Sequence, residues 1–162
     1  MPLEKMKRNL EKLIEHQKDL YKIAVEKTDI IIRNDIETLQ TILKQENKHI
    51  QIIQKLEAEI FKLGKEISEK KGIIDANLTL STMIEYFPNE QRECLYELKE
   101  SLAAQLLSLQ QRNQLNQDML EQSLQFVNLS LDLLIPDMES FNYNPTVQDE
   151  QKEIHSLFDS KA

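Results

Sequence analysis

The chain has 162 residues, of which 40% are hydrophobic and 30% charged, with two glycines, no tryptophan and a formal net charge of −8. That length gives one domain with a real core, the acidic balance excludes the basic footprint of a nucleic-acid binder, and no apolar run approaches the roughly 18 residues that span a bilayer. Few turn formers beside abundant Glu, Lys, Leu, Ile and Gln point to long helices and an all-α fold.

The first helix opens at Pro2, a residue suited to a helix start. Leu3, Met6, Leu10, Leu13, Gln17, Leu20 and Ala24 follow at three-and-four spacing, and Ile14, Tyr21 and Val25 widen the stripe. The pattern fades at "TDIIIRND". Asn34 then reads as the cap of a second helix, with Glu37 reaching back to close a capping box. A seven-residue repeat of Ile36, Leu39, Leu43, Ile50, Ile53, Ile60 and Ile67 follows, interrupted by Glu46, Glu57 and Gly64. Lys70, Lys71 and Gly72 close the helix, the lysines against its negative end and the glycine in the left-handed position beyond. Such a helix is about 55 Å long, the length of a coiled-coil hairpin arm. Gly64 inside it costs about 1 kcal/mol relative to Ala; the sequence suggests only a close approach by a neighbouring chain.

"IIDANLTLSTMIEYFPNEQ" reads as a connector with a short helix from Leu80 to Tyr86, capped by Thr79. Pro88 then ends that helix or begins the next. The last helix runs from about Asn89 to Leu134. One stripe on it is Leu95, Leu98, Leu102, Leu106, Leu109, Asn113, Asn116, Leu120, Leu124, Val127, Leu131 and Leu134, a coiled-coil seam with steps of three and four. Asn113 and Asn116 inside it have two readings: polar positions that fix register, or residues that face solvent through a gap. Pro136 stops the helix. The expected organisation is therefore a helical domain over 1–135 and a mobile tail over 136–162 of net charge −4. The domain is a long antiparallel hairpin, a short connector helix and a long C-terminal helix. Ile154, Leu157 and Phe158 in the tail suggest a short segment able to fold back on the last helix.

No catalytic constellation is visible, so the expectation is a non-enzyme without cofactor or metal. His16, His49 and His155 fall on separate segments. Glu46-x-x-His49 has the spacing of di-iron helical bundles, which need a second such motif and two more inward carboxylates; a solvated helix face is the better reading. Gly64 and Gly72 alone cannot build a phosphate loop. The lone Cys94 sits between Glu93 and Glu97, which disfavour a thiolate, and reads as a packing residue. A single cysteine, with no signal-peptide h-region, fits a reducing cytoplasmic setting.

What the last helix does offer is a second apolar row: Leu115, Met119, Phe126, Leu129 and Leu133, about 100° around the axis from the first. In one reading the hairpin buries it as core. In the other, the second row, or part of the first, stays open for a partner's helix.

Three stretches carry a family resemblance: "RNDIETLQTILKQENKHIQIIQKL", "LTLSTMIEYFPNEQRECLYELKESL" and, most specifically, "LNQDMLEQSLQFVNLSLDLL" with its Leu-Asn-Gln, Glu-Gln-Ser-Leu and Phe-Val-Asn elements. In order and spacing the chain resembles the FlgN family of flagellar type III export chaperones over residues 1 to about 135. The resemblance implies a client site over Leu115–Ile135 for the C-terminal helices of hook-associated proteins of the FlgK and FlgL type. It also implies delivery to the export gate, the cytoplasmic domain of FlhA, with Phe141 or Tyr143 as docking aromatics. The alternative is a coiled-coil adaptor or scaffold that uses the same row for oligomerisation, a homodimer in the simplest case.

Overall fold

In the computed structural model, which describes residues 2–74 and 77–134, the chain is all-α. Four helices follow in order: α1 (Pro2–Arg33), α2 (Ile36–Lys70), α3 (Leu80–Glu85) and α4 (Asn89–Leu134). At 1.5 Å per residue, the 32 residues of α1 span about 48 Å and the 46 of α4 about 69 Å. The expected elements are present: the antiparallel hairpin, the connector helix behind its Thr79 cap, and the long last helix.

α1 does not fade at "TDIIIRND"; it runs through it to Arg33. Ile30 and Ile31, 3% and 4% exposed, are core residues that hold this last turn in place. The turn into α2 also differs by one residue from the sequence expectation. Asn34 adopts the left-handed conformation, φ 54°, which its short polar side chain tolerates. Asp35 is therefore the cap: it accepts from the Thr38 amide at 3.2 Å and from the Thr38 hydroxyl at 2.5 Å. These bonds to its ionised form hold the Asp35 carboxyl below its usual pKa.

The α2 seam keeps Leu39, Ile53, Ile60 and Ile67 of the seven-residue repeat but runs through Ile42, Leu56 and Leu63 rather than Ile36, Leu43 and Ile50. Ile42, Ile53, Leu56, Ile60 and Leu63 are buried, with Leu39 and Ile67 half-buried beside them. Adding Glu46 and His49 gives steps of three and four throughout, the coiled-coil rule. Ile36, placed in the repeat, is instead 68% exposed. Gly64 is explained within the chain: a Cβ there would lie 2.6 Å from Sδ of Met83 in α3. Gly72, at φ +69°, closes the helix as expected.

α1 is the central helix. α2 packs on one flank and α4 on another, and among the described residues the α2 and α4 backbones do not come close to each other. Ile23 and Ile30 meet Ile42 and Leu39 of α2. Thr28 and Ala24 meet Asn116 of α4, and Tyr21 meets Arg112. At the far end Met83, Ile84 and Phe87 plug the bundle. The guanidinium of Arg92 donates to the Phe87 and Glu85 carbonyls at 2.8 and 2.7 Å, pinning the corner between α3 and α4. No helix among the described residues is long and apolar enough to cross a membrane.

Candidate partner-binding surface

The surface is set by the register of α4 on α1. The two helices run parallel, because Arg112 lies over Tyr21 and Asn116 bonds to the turn from Ala24 to Thr28. The Asn116 amide donates to the Ala24 carbonyl at 2.8 Å, and the Thr28 hydroxyl reaches the Asn116 carbonyl oxygen at 2.5 Å. Asn116 is completely buried and Asn113 nearly so. A buried amide with both ends bonded ties one turn of α4 to one turn of α1, because any slide would strand its donor and its acceptor.

With Asn116 opposite residues 24–28, the end of α1 at Arg33 comes level with about Ser123. α4 continues for three further turns, about 16 Å, beyond the end of α1. The seam stripe does not stop where its partner does. Leu109 is 5% exposed, but Leu124, Val127, Leu131 and Leu134 further along the same stripe are 38%, 51%, 41% and 78% exposed. On the second row, Phe126, Leu129 and Leu133 are open as well, at 70%, 58% and 75%. Leu115 is partly open, and Met119 is half-buried. Among the described residues both rows of the terminal turns are thus exposed, where the sharper expectation was the second row or part of the first.

Met119, Phe126 and Val127 also line an open groove of about 570 Å³, whose other wall is Asn34 and Ile36 at the α1–α2 turn. Ile36 escaped the sequence reading because it opens the apolar repeat of α2 and looks like its first core position. Its place directly after the Asp35 cap was the available signal, since the first turn of a helix at a hairpin tip has nothing beyond it to pack on. The expected tail residues Phe141, Tyr143, Ile154, Leu157 and Phe158, and the division at 135/136, lie outside the described residues.

Two polar clusters occupy the α1–α2 seam, where the sequence suggested a solvated face. Lys27 and Glu46 form a fully buried ion pair at 2.5 Å. Burial pushes the Lys27 ammonium down to about 7, because the low-dielectric interior disfavours its charge. His16 and His49, apart in sequence, face each other with Nδ1 atoms 3.1 Å apart. Glu46 and His49 sit one turn apart, but Glu46 turns to Lys27, so no di-iron arrangement of carboxylates and histidines is present among the described residues.

Comparison with known proteins bears on this surface. Residues 1–151 match the FlgN protein family, a span that passes the end of α4 and includes Phe141 and Tyr143. The chain is 33% identical over 155 residues to the protein titled "Uncharacterized protein YvyG" of Bacillus subtilis (strain 168), covering 94% of each chain. No solved structure matches the chain closely enough to count as similar.

Proposed function

The chain belongs to the FlgN family of flagellar export chaperones, and from that premise we propose that the overhanging end of α4 is where it holds its client. Proteins of this family bind flagellar export substrates, and the family is one of chaperones rather than enzymes. In the proposed reading the client is the C-terminal helical segment of a hook-associated protein of the FlgK or FlgL type. Leu115, Met119, Phe126, Leu129 and Leu133 receive it, with Ile36 as the facing wall. The complex forms in the cytoplasm and passes to the cytoplasmic domain of the export-gate protein FlhA, where Phe141 or Tyr143 docks. Asn113 and Asn116 fix the register that leaves the overhang free.

One observation carries this reading: Phe126, Leu129 and Leu133 are each more than half exposed on turns that run beyond the end of α1. Large apolar side chains in a contiguous exposed patch mark an interaction surface. An amphipathic client helix that hides its own assembly face there is protected from premature assembly by the same contact. Each well-buried Leu or Phe contributes about 1.5–3 kcal/mol before ordering costs. Five of them support affinities between micromolar and nanomolar once those costs are met.

The test is a double substitution, Phe126→Asp with Leu133→Asp. The helical circular dichroism stays as in the wild type and client co-purification disappears. A variant that keeps its client at wild-type strength moves the site elsewhere. Sedimentation of the free chain separates the adaptor reading: a stable homodimer dissolved by the same substitutions, with no client bound by the wild type, assigns the rows to self-association.

A further inference from the structure

The α1–α2 seam holds a cluster that client binding does not use. His16 and Asp19 are one turn apart on α1, so they share a face, and His49 of α2 lies against them. The two Nδ1 atoms are 3.1 Å apart, with ring centroids 5.4 Å apart and planes inclined at 55°. One ligand atom from each of His16, Asp19 and His49 lies within 4.8 Å of the others. All three residues are half-buried, so an ion has a path in from solvent.

Two facing imidazole nitrogens at this distance fit a hydrogen bond, one protonated and one not. They also fit a metal. Zn²⁺ takes histidine nitrogen at about 2.0–2.1 Å in tetrahedral geometry, which sets two such nitrogens about 3.3 Å apart. A carboxylate oxygen supplies a third ligand of suitable chemistry, since imidazole and carboxylate together suit borderline divalent cations. The neighbouring carboxylate does not compete for the role, because Glu46 is committed to Lys27. We propose that His16, His49 and Asp19 form a binding site for a single divalent transition cation, zinc foremost, with the fourth position left to water. The ion clips α1 to α2 midway along the hairpin, far from the overhang, and its effect is on the stability of the hairpin rather than on client chemistry. The site stands whether or not the client surface is placed correctly.

The experiment uses the untagged full-length chain, stripped with a chelator and dialysed, and titrated with zinc chloride by calorimetry and by thermal unfolding. One zinc binds per chain with a Kd of about 1 μM or tighter, and saturating zinc raises Tm by mass action on the folded state. His16→Gln and His49→Gln each weaken binding at least about tenfold and remove the Tm rise, while His155→Gln changes neither. Asp19→Asn leaves the histidine pair untouched, keeps the fold, and still weakens zinc, so the result does not hinge on a variant that misfolds. A wild-type chain that takes no zinc, or takes it no more tightly than Asp19→Asn and His16→Gln/His49→Gln, overturns the site.

Discussion

Lys27 and Glu46 show how a single buried pair shapes the energetics of the seam. Desolvation sets the folded pKa of Lys27 at about 7 against 10.5 for the free side chain. Between those values the unfolded chain holds more protons than the folded one, so stability rises with pH across that window and is insensitive to Lys27 below it. Urea unfolding midpoints at pH 7 and pH 9 measure the rise, and Lys27→Met removes this contribution. The same substitution deprives the buried Glu46 carboxylate of its lysine and lowers stability at pH 7 by about 3 kcal/mol, whereas Lys27→Met with Glu46→Leu restores it to wild type or above. Gly64 makes a second test at this scale. Alanine gains about 1 kcal/mol of helix propensity, but its Cβ would stand 2.6 and 2.7 Å from Sδ and Cγ of the buried Met83. Overpacking costs about 1–3 kcal/mol, so Gly64→Ala is a net loss of about 1 kcal/mol. Paired with Met83→Ala, the loss attributable to Gly64→Ala disappears, a non-additivity that a double-mutant cycle reads directly.

At the scale of the helix, what the sequence made legible was set by residues with one strong local preference. Thr79, Pro88 and Gly72 bound helices through cap and ring chemistry, and the structure keeps Thr79 as the cap of α3 and Gly72 beyond α2. The columns of α2 were harder. Ile36, Leu43 and Ile50 are as apolar as Ile42, Leu56 and Leu63, and the second column carries His49, which disguises it. Only the packing of α1 decides between them, because Ile23 and Ile30 meet Ile42. The polar members of the seam, Glu46 and His49, read as solvated for the same reason: their partners Lys27 and His16 lie on another helix. The register of α4 was half legible, since Asn113 and Asn116 were visible inside an apolar stripe but their partners Thr28 and Ala24 were not. Asn116→Ala removes the amide that joins Thr28 to the Ala24 carbonyl and leaves space behind it, so urea unfolding shows a loss of about 1–3 kcal/mol. Asn116→Leu recovers most of that loss, because it refills the site while Thr28 keeps its own 3.1 Å bond to Ala24.

For the whole molecule, the decisive feature is that the seam stripe of α4, apolar but for Asn113 and Asn116, runs on past the end of α1. α4 carries one seam by sequence but two environments: core where α1 accompanies it, except for Leu106, which is 43% exposed, and surface beyond. Matched leucine truncations expose the boundary. Leu109 is 5% exposed and belongs to the main core cluster, so Leu109→Ala costs about 2–5 kcal/mol in the free chain. Leu133 is 75% exposed, so Leu133→Ala stays within about 0.5 kcal/mol. Adding the client helix reverses the ranking of what each substitution affects. A ligand that binds only the folded chain raises its apparent stability in proportion to the logarithm of affinity. Leu133→Ala, silent in the free chain, therefore shrinks the client-induced rise in Tm, whereas Leu109→Ala lowers the baseline and leaves the rise unchanged. Thermal melts of both variants with and without client peptide make the comparison. Equal client-induced shifts in the wild type and Leu133→Ala assign the overhang no part in binding, and a Leu133→Ala loss in the free chain, growing with protein concentration, assigns the rows to self-association.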